Sequence, residues 1–101
     1  MNDGIYHFTF GPSVPLDEAE ETLQLALIAA EALHGQPQVR LGAGYYMDPA
    51  KRGCAVNANS PAGRDVCRIF TGFLTHEFGE SAFTVRRAEA KAEHALAEVG
   101  R

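Results

Sequence analysis

The chain has 101 residues, 46% of them apolar and 22% charged, and carries a formal net charge of −4. That length allows one domain with one modest core, in a composition typical of folded proteins rather than disordered ones. The acidic balance argues against nucleic acid and anionic membrane surfaces, both of which are bound first through basic patches, and no apolar run approaches the ~20 residues of a membrane span.

The N-terminus, MNDGIYHF, lacks the basic and apolar regions of a secretory leader. A cytoplasmic setting is therefore expected, with Cys54 and Cys67 as small buried thiols rather than a bridge or a metal pair. Residues 4–10, GIYHFTF, alternate Tyr6, Phe8 and Phe10 against Ile5, His7 and Thr9, the pattern of a strand with one aromatic face. GPSVP (11–15) breaks it. A helix is expected from Leu16 to His34, opened by a capping box of Asp17 and Glu20 and stopped by Gly35 and Pro37. This helix has two apolar stripes. One is Leu23, Ala26, Leu27, Ala30 and Leu33, and the other is Leu25, Ile28, Ala29 and Ala32. A sheet needs only one of them; the second requires another cover.

QVRLGAGYYM (38–47) reads as a second strand, with Val39, Leu41, Ala43, Tyr45 and Met47 on one side. DPAKRG (48–53) reads as a turn, and CAVNAN (54–59) as the partner strand of a hairpin. A second helix is expected over 61–78, buried through Val66, Ile69, Phe70, Phe73, Leu74 and Phe78. SAFTVRR (81–87) gives a last strand, and residues 88–99 have helical composition.

The order β-α-β-β-α-β resembles the ferredoxin-like sandwich: an α+β fold with a four-stranded antiparallel sheet and two helices on one face. The expected division is a single domain over 1–87 and a C-terminal helical extension over 88–101. Many unrelated activities share this topology, so the resemblance implies a fold and no function. RNA-recognition domains share it as well. In RGCAVNAN (52–59), however, their aromatic positions hold Cys54, Val56 and Asn59, which leaves no stacking platform.

The second sheet face is expected to carry Ile5, His7, Thr9, Gly42, Gly44, Tyr46, Ala55, Asn57, Ala82, Thr84 and Arg86. It is small and partly polar, neither a plain solvent surface nor a core. NANSPAGRD (57–65), which leads a strand into a helix, could cradle an anion with Gly63 and Arg64. Ser60 followed by Pro61 reads first as a plain N-cap, which accounts for two of these residues without a ligand. HEFGE (76–80) holds only half of a zinc-protease motif, so His76 is expected to sit at a helix C-terminus; His34 and His94 read as surface positions. GAGYYM (42–47) fails the dinucleotide pattern at Met47.

The leading expectation is a non-catalytic module that self-associates or binds a protein partner, through Leu25, Ile28, Ala32 and Leu96, with no cofactor or metal. The alternative is a small-molecule or anion site, possibly enzymatic, drawing on His7, Tyr46, Asn57, Ser60, Gly63, Arg64 and Arg86.

Overall fold

The computed structural model describes residues 4–88. In chain order these form β1 (Ile5–Phe10), α1 (Leu16–His34), α2 (Gln36–Gly42), β2 (Tyr45–Asp48), a 3-10 turn (Pro49–Lys51), β3 (Gly53–Asn57), α3 (Pro61–Phe78), a second 3-10 turn (Glu80–Ala82) and β4 (Phe83–Ala88). The fold is α+β. Its four strands pair antiparallel in the order β2-β3-β1-β4.

Helix α1 starts where the proline-broken loop ends. Its N-cap is Pro15, which has no side chain to cap with, and the carbonyl of Pro15 takes the Ala19 N–H at 3.0 Å. The expected capping box therefore does not form. Asp17 already lies inside the first turn, where its charge favours the positive end of the helix. Glu20 instead accepts from the Tyr45 hydroxyl at 3.4 Å. The preceding loop is held from outside by the Arg52 guanidinium. It donates to the carbonyls of Phe10 (3.3 Å), Gly11 (2.8 Å) and Val14.

At the far end, Gly35 has φ 84° and donates its N–H to Glu31 O at 2.8 Å, which stops α1 as expected. The strand expected over 38–47 is a point of correction. Residues 36–42 are the helix α2, with Pro37 in its first turn, and the strand begins only at Tyr45. Pro37 has no N–H to offer a ladder, but a first helical turn does not need one. Val39 is buried against the core, while Leu41, assigned to the same strand side, is exposed. Gly42 consequently leaves the sheet face on which it was placed.

Two smaller boundary corrections have local causes. Strand β3 ends at Asn57, because the Asn57 carboxamide oxygen accepts the Asn59 N–H at 2.8 Å and bends the chain. Ala82 belongs to the 3-10 turn and packs in the core, so it too leaves the open face. Of the expected tail helix, Ala88 is the last residue of β4, and 89–99 lie outside the described residues.

The strand registers sort the side chains cleanly. Tyr6, Phe8 and Phe10 share a face with Cys54, Val56, Tyr45, Met47 and Phe83, and this face meets α1 and α3. Phe70 of α3 stands over β1, its ring centroid 4.7 Å from that of Phe8 and 6.3 Å from that of Phe10. Leu23, Val66 and Leu74 complete the buried centre. At the sheet's outer edge, the Gly11 N–H bonds toward Ala82 O and the Phe10 N–H toward Arg52 O. Alternation then turns the backbone groups of Phe83, Val85 and Arg87 away from β1, leaving them unpaired within the sheet.

Helix α3 begins at a tight junction. Ser60 is its N-cap: the Ser60 Oγ accepts the Gly63 N–H at 2.9 Å and donates to Gly42 O at 2.7 Å. A Cβ at Gly63 would run into the carbonyl oxygens of Asn57 and Gly42, and one at Gly42 into the Ser60 hydroxyl. Along the same helix, Gly72 faces open space. Helix propensity alone favours alanine by ~1 kcal/mol at both positions. Gly72→Ala is therefore expected to raise the melting temperature. Gly63→Ala is expected to lower it by the equivalent of about 1–3 kcal/mol, as backbone must move to admit the methyl group. Thermal unfolding of the two variants, which share one helix and one chemical change, checks the opposite signs.

Candidate functional site

No described element covers the second face of the sheet, and its residues form a grid set by the strand registers. Tyr46 (β2), Ala55 (β3), His7 (β1) and Arg86 (β4) lie in one row across all four strands. Asp48, Gly53, Thr9 and Thr84 form the row on one side of it, and Asn57, Ile5 and Ala88 the row on the other. The three β3 positions are the lowest, because glycine and alanine hold two of them. A depression of about 560 Å³ is lined by His7, Thr9, Tyr46, Asp48, Lys51 and Arg86 with Gly53 and Ala55. A shallower one of about 330 Å³ continues past Tyr46 toward Ile5, Gly44 and Asn57. The open faces of the two central strands carry no aromatic side chain other than the His7 imidazole, since β1 presents Ile5, His7 and Thr9 and β3 presents Gly53, Ala55 and Asn57.

Of the residues expected to bind a ligand, His7, Tyr46, Asn57 and Arg86 come together on this face. Ser60, Gly63 and Arg64 do not. Gly63 is buried and its N–H is taken by Ser60, so this amide does not point outward. The Asp65 carboxylate, in the same turn, accepts from the His34 ring nitrogen Nε2 at 2.8 Å and lies 3.6 Å from the Arg68 guanidinium. His34, expected on the surface, is thus a half-buried tie between the end of α1 and the start of α3. Arg64 lies on the helix side of the sheet, where it lines a depression of about 360 Å³ with Tyr6, Cys67, Arg68 and Thr71.

Two lining residues of the open face, Asp48 and Lys51, carry no sequence signal of their own. Asp48 ends β2 and Lys51 ends the 3-10 turn that follows, where Asp48 Oδ1 accepts the Lys51 N–H at 3.3 Å. Only the three-dimensional path of that turn brings them over Gly53; no spacing marks them.

The expected interface residues on α1 face outward. Leu25 is 58% exposed and Ile28 61%, with Ala32 beside them, on the side of the helix opposite its buried stripe of Ala19, Leu23, Ala26 and Ala30. Leu96 lies outside the described residues. Among the described residues, no group of three His, Cys, Asp or Glu side chains is placed to hold a metal ion, and no helix is long and apolar enough to cross a membrane. No family model matches the chain, and comparison with curated proteins and with solved structures returns no match.

Both thiols are unbridged and buried. Burial pushes the Cys54 thiol from 9.0 up to about 12, with the neighbouring Cys67 and Glu20 adding to the effect. The Tyr45 phenol is also raised, by burial first and then by the Glu20 carboxylate. A proton held more tightly in the folded than in the unfolded chain stabilises the fold fully below the unfolded pKa, and that contribution is lost as pH climbs toward the folded one. Stability should therefore fall between pH 9 and about 12, and Cys54→Ala should flatten part of that slope in urea titrations.

Proposed function

We propose that this chain is a non-catalytic binding module that pairs with a second copy of itself through the outer face of α1. The observation that carries the reading is the pair of large apolar side chains, Leu25 and Ile28, directed to solvent midway along a 19-residue helix. Exposed apolar side chains scattered singly mean little; a stripe on one helix face that adjoins small residues allows close helix packing. Ala29 and Ala32 provide those small positions.

The charges on this side of the molecule fit a two-fold antiparallel pairing of α1 helices. Acids crowd the first half of α1, at Asp17, Glu18, Glu20 and Glu21, while the exposed Arg40 follows on α2 beyond its other end. Antiparallel pairing sets the acidic half of one copy against the basic end of the other, and it also opposes the two helix dipoles. The stripe is small beside the ~800 Å² per partner of a standard interface, so the expected dimer is reversible.

The proposal extends to architecture and setting. The strand order β2-β3-β1-β4, with both long helices on one face, supports a ferredoxin-like arrangement in which α2 is an insertion between the first helix and the second strand. Two buried, unbridged thiols favour a cytoplasmic setting. Sedimentation at protein concentrations up to about 1 mM, where weak interfaces fill, is expected to show a monomer–dimer equilibrium. Ile28→Glu is expected to leave only monomer with the melting temperature nearly unchanged, since the side chain already faces water. A wild-type chain that stays monomeric throughout would overturn the reading.

A further inference from the structure

The two edges of the sheet differ. Strand β2 has four residues and no basic side chain, whereas β4 has six, all paired with β1 in one continuous register. Of the devices that blunt an exposed edge, β4 has neither a proline nor a bulge, and only charge remains. The Gly11 N–H bond to Ala82 O fixes the alternation, so the N–H and C=O of Val85 and Arg87 point away from β1. Among the described residues nothing bonds to them.

The side chains at this edge narrow what pairs with it. Arg86 lies on the open sheet face and Arg87 on the helix face, and neither makes an ion pair or hydrogen bond among the described residues. Tyr6, directly opposite Arg87, also lines the depression that holds Arg64 and Arg68, and no carboxylate lines it. Positive charge is thus concentrated along this edge, in a chain whose net charge is −4. Val85, 39% exposed, adds an apolar position on the helix face, two residues from Arg87.

We propose that β4 receives an acidic peptide as a fifth strand, antiparallel like the rest of the sheet. Main-chain hydrogen bonds to Val85 and Arg87 supply the attachment, and the side chains set the sequence. Neighbouring residues on the added strand face opposite sides, so two adjacent acids place one carboxylate against Arg87 and the next against Arg86. The residue after them meets Val85 and is apolar and β-branched. A second copy of β4 offers arginines rather than acids, and residues 89–101 contain no two adjacent acids. Helix α1 borders the other edge, where Glu20 and Gln24 reach Tyr45 of β2, so this surface is separate from the one proposed for self-pairing.

The end-capped peptide Thr-Glu-Glu-Val-Thr-Ser is a suitable probe. One control carries lysine in place of both glutamates; a second is N-methylated at the valine, which keeps the charge and removes a main-chain donor. Titrated into the isotope-labelled full chain up to about 1 mM, the probe is expected to shift the Val85 and Arg87 amides saturably in two-dimensional NMR spectra and to slow their hydrogen exchange. The lysine peptide is expected to leave both amides in place, and the N-methylated peptide to bind about tenfold more weakly. Arg86→Gln and Arg87→Gln should each weaken binding severalfold, the size of a lost cross-strand charge pair, and the spectra report directly that each variant is folded. The proposal is overturned by any of five results: no saturable shift, as when residues 89–101 or a second β4 already fill the edge; shifts mapping away from β4; equal binding of the lysine peptide; equal binding of the N-methylated peptide, which means charge attraction without strand pairing; or affinity unchanged in both arginine variants.

Discussion

Three stretches of backbone meet at the Ser60 hydroxyl, and the arrangement of the molecule depends on how closely they do so. The end of α2, the end of β3 and the first turn of α3 converge at Gly42, Asn57 and Gly63, near enough that a single methyl group on either glycine would collide. One oxygen completes two hydrogen bonds there, one to each side of the contact. With that point fixed, α3 leaves at an angle that lays Phe70 over Phe8 and Phe10, and α2 closes the end of the helix layer over Val39 and Ala43.

The same constraint divides the surfaces by use. Everything large and apolar from the strands goes to the helix side, apart from Tyr46 and Ile5, so the opposite sheet face is left with short or polar side chains. The helix layer, in turn, is sealed beneath α1 yet ends in leucine and isoleucine above it. Two chemically distinct surfaces result on opposite sides of one thin domain: one carries exposed leucine and isoleucine, the other short and polar side chains. The turn that looks most like a phosphate cradle in the sequence has the Gly63 amide engaged in holding the junction.

Local pattern makes much of this legible. Helix α1 matches its expected limits because Pro15 and Gly35 bracket an alanine- and leucine-rich run, and α3 because Ser60, Pro61 and Gly79 punctuate another. The strict alternation of β1 sets the facing of His7 and, through pairing, of Ala55 and Arg86. Residues 38–47 mimic a strand because Val39, Leu41 and Ala43 alternate as a strand would, and seven residues are too few for a helical period to outweigh that. The need for glycine at position 63 is written in Asn57 and Gly42, whose carbonyls arrive from elsewhere in the chain, so a helix-propensity argument finds only a cost there. The capping box fails for a related reason: its spacing is right, but Pro15 has already set the helix start.

The edge strand β4 bears on how far any assembly can grow. Its outward backbone groups, at Phe83, Val85 and Arg87, would accept another strand, and six residues are long enough to seed one. Adjacent arginines at 86 and 87 place a positive charge on each face of the sheet at that edge, so a second β4 laid alongside parallel and in register would bring guanidinium groups together. Parallel in-register growth from this edge is thereby disfavoured.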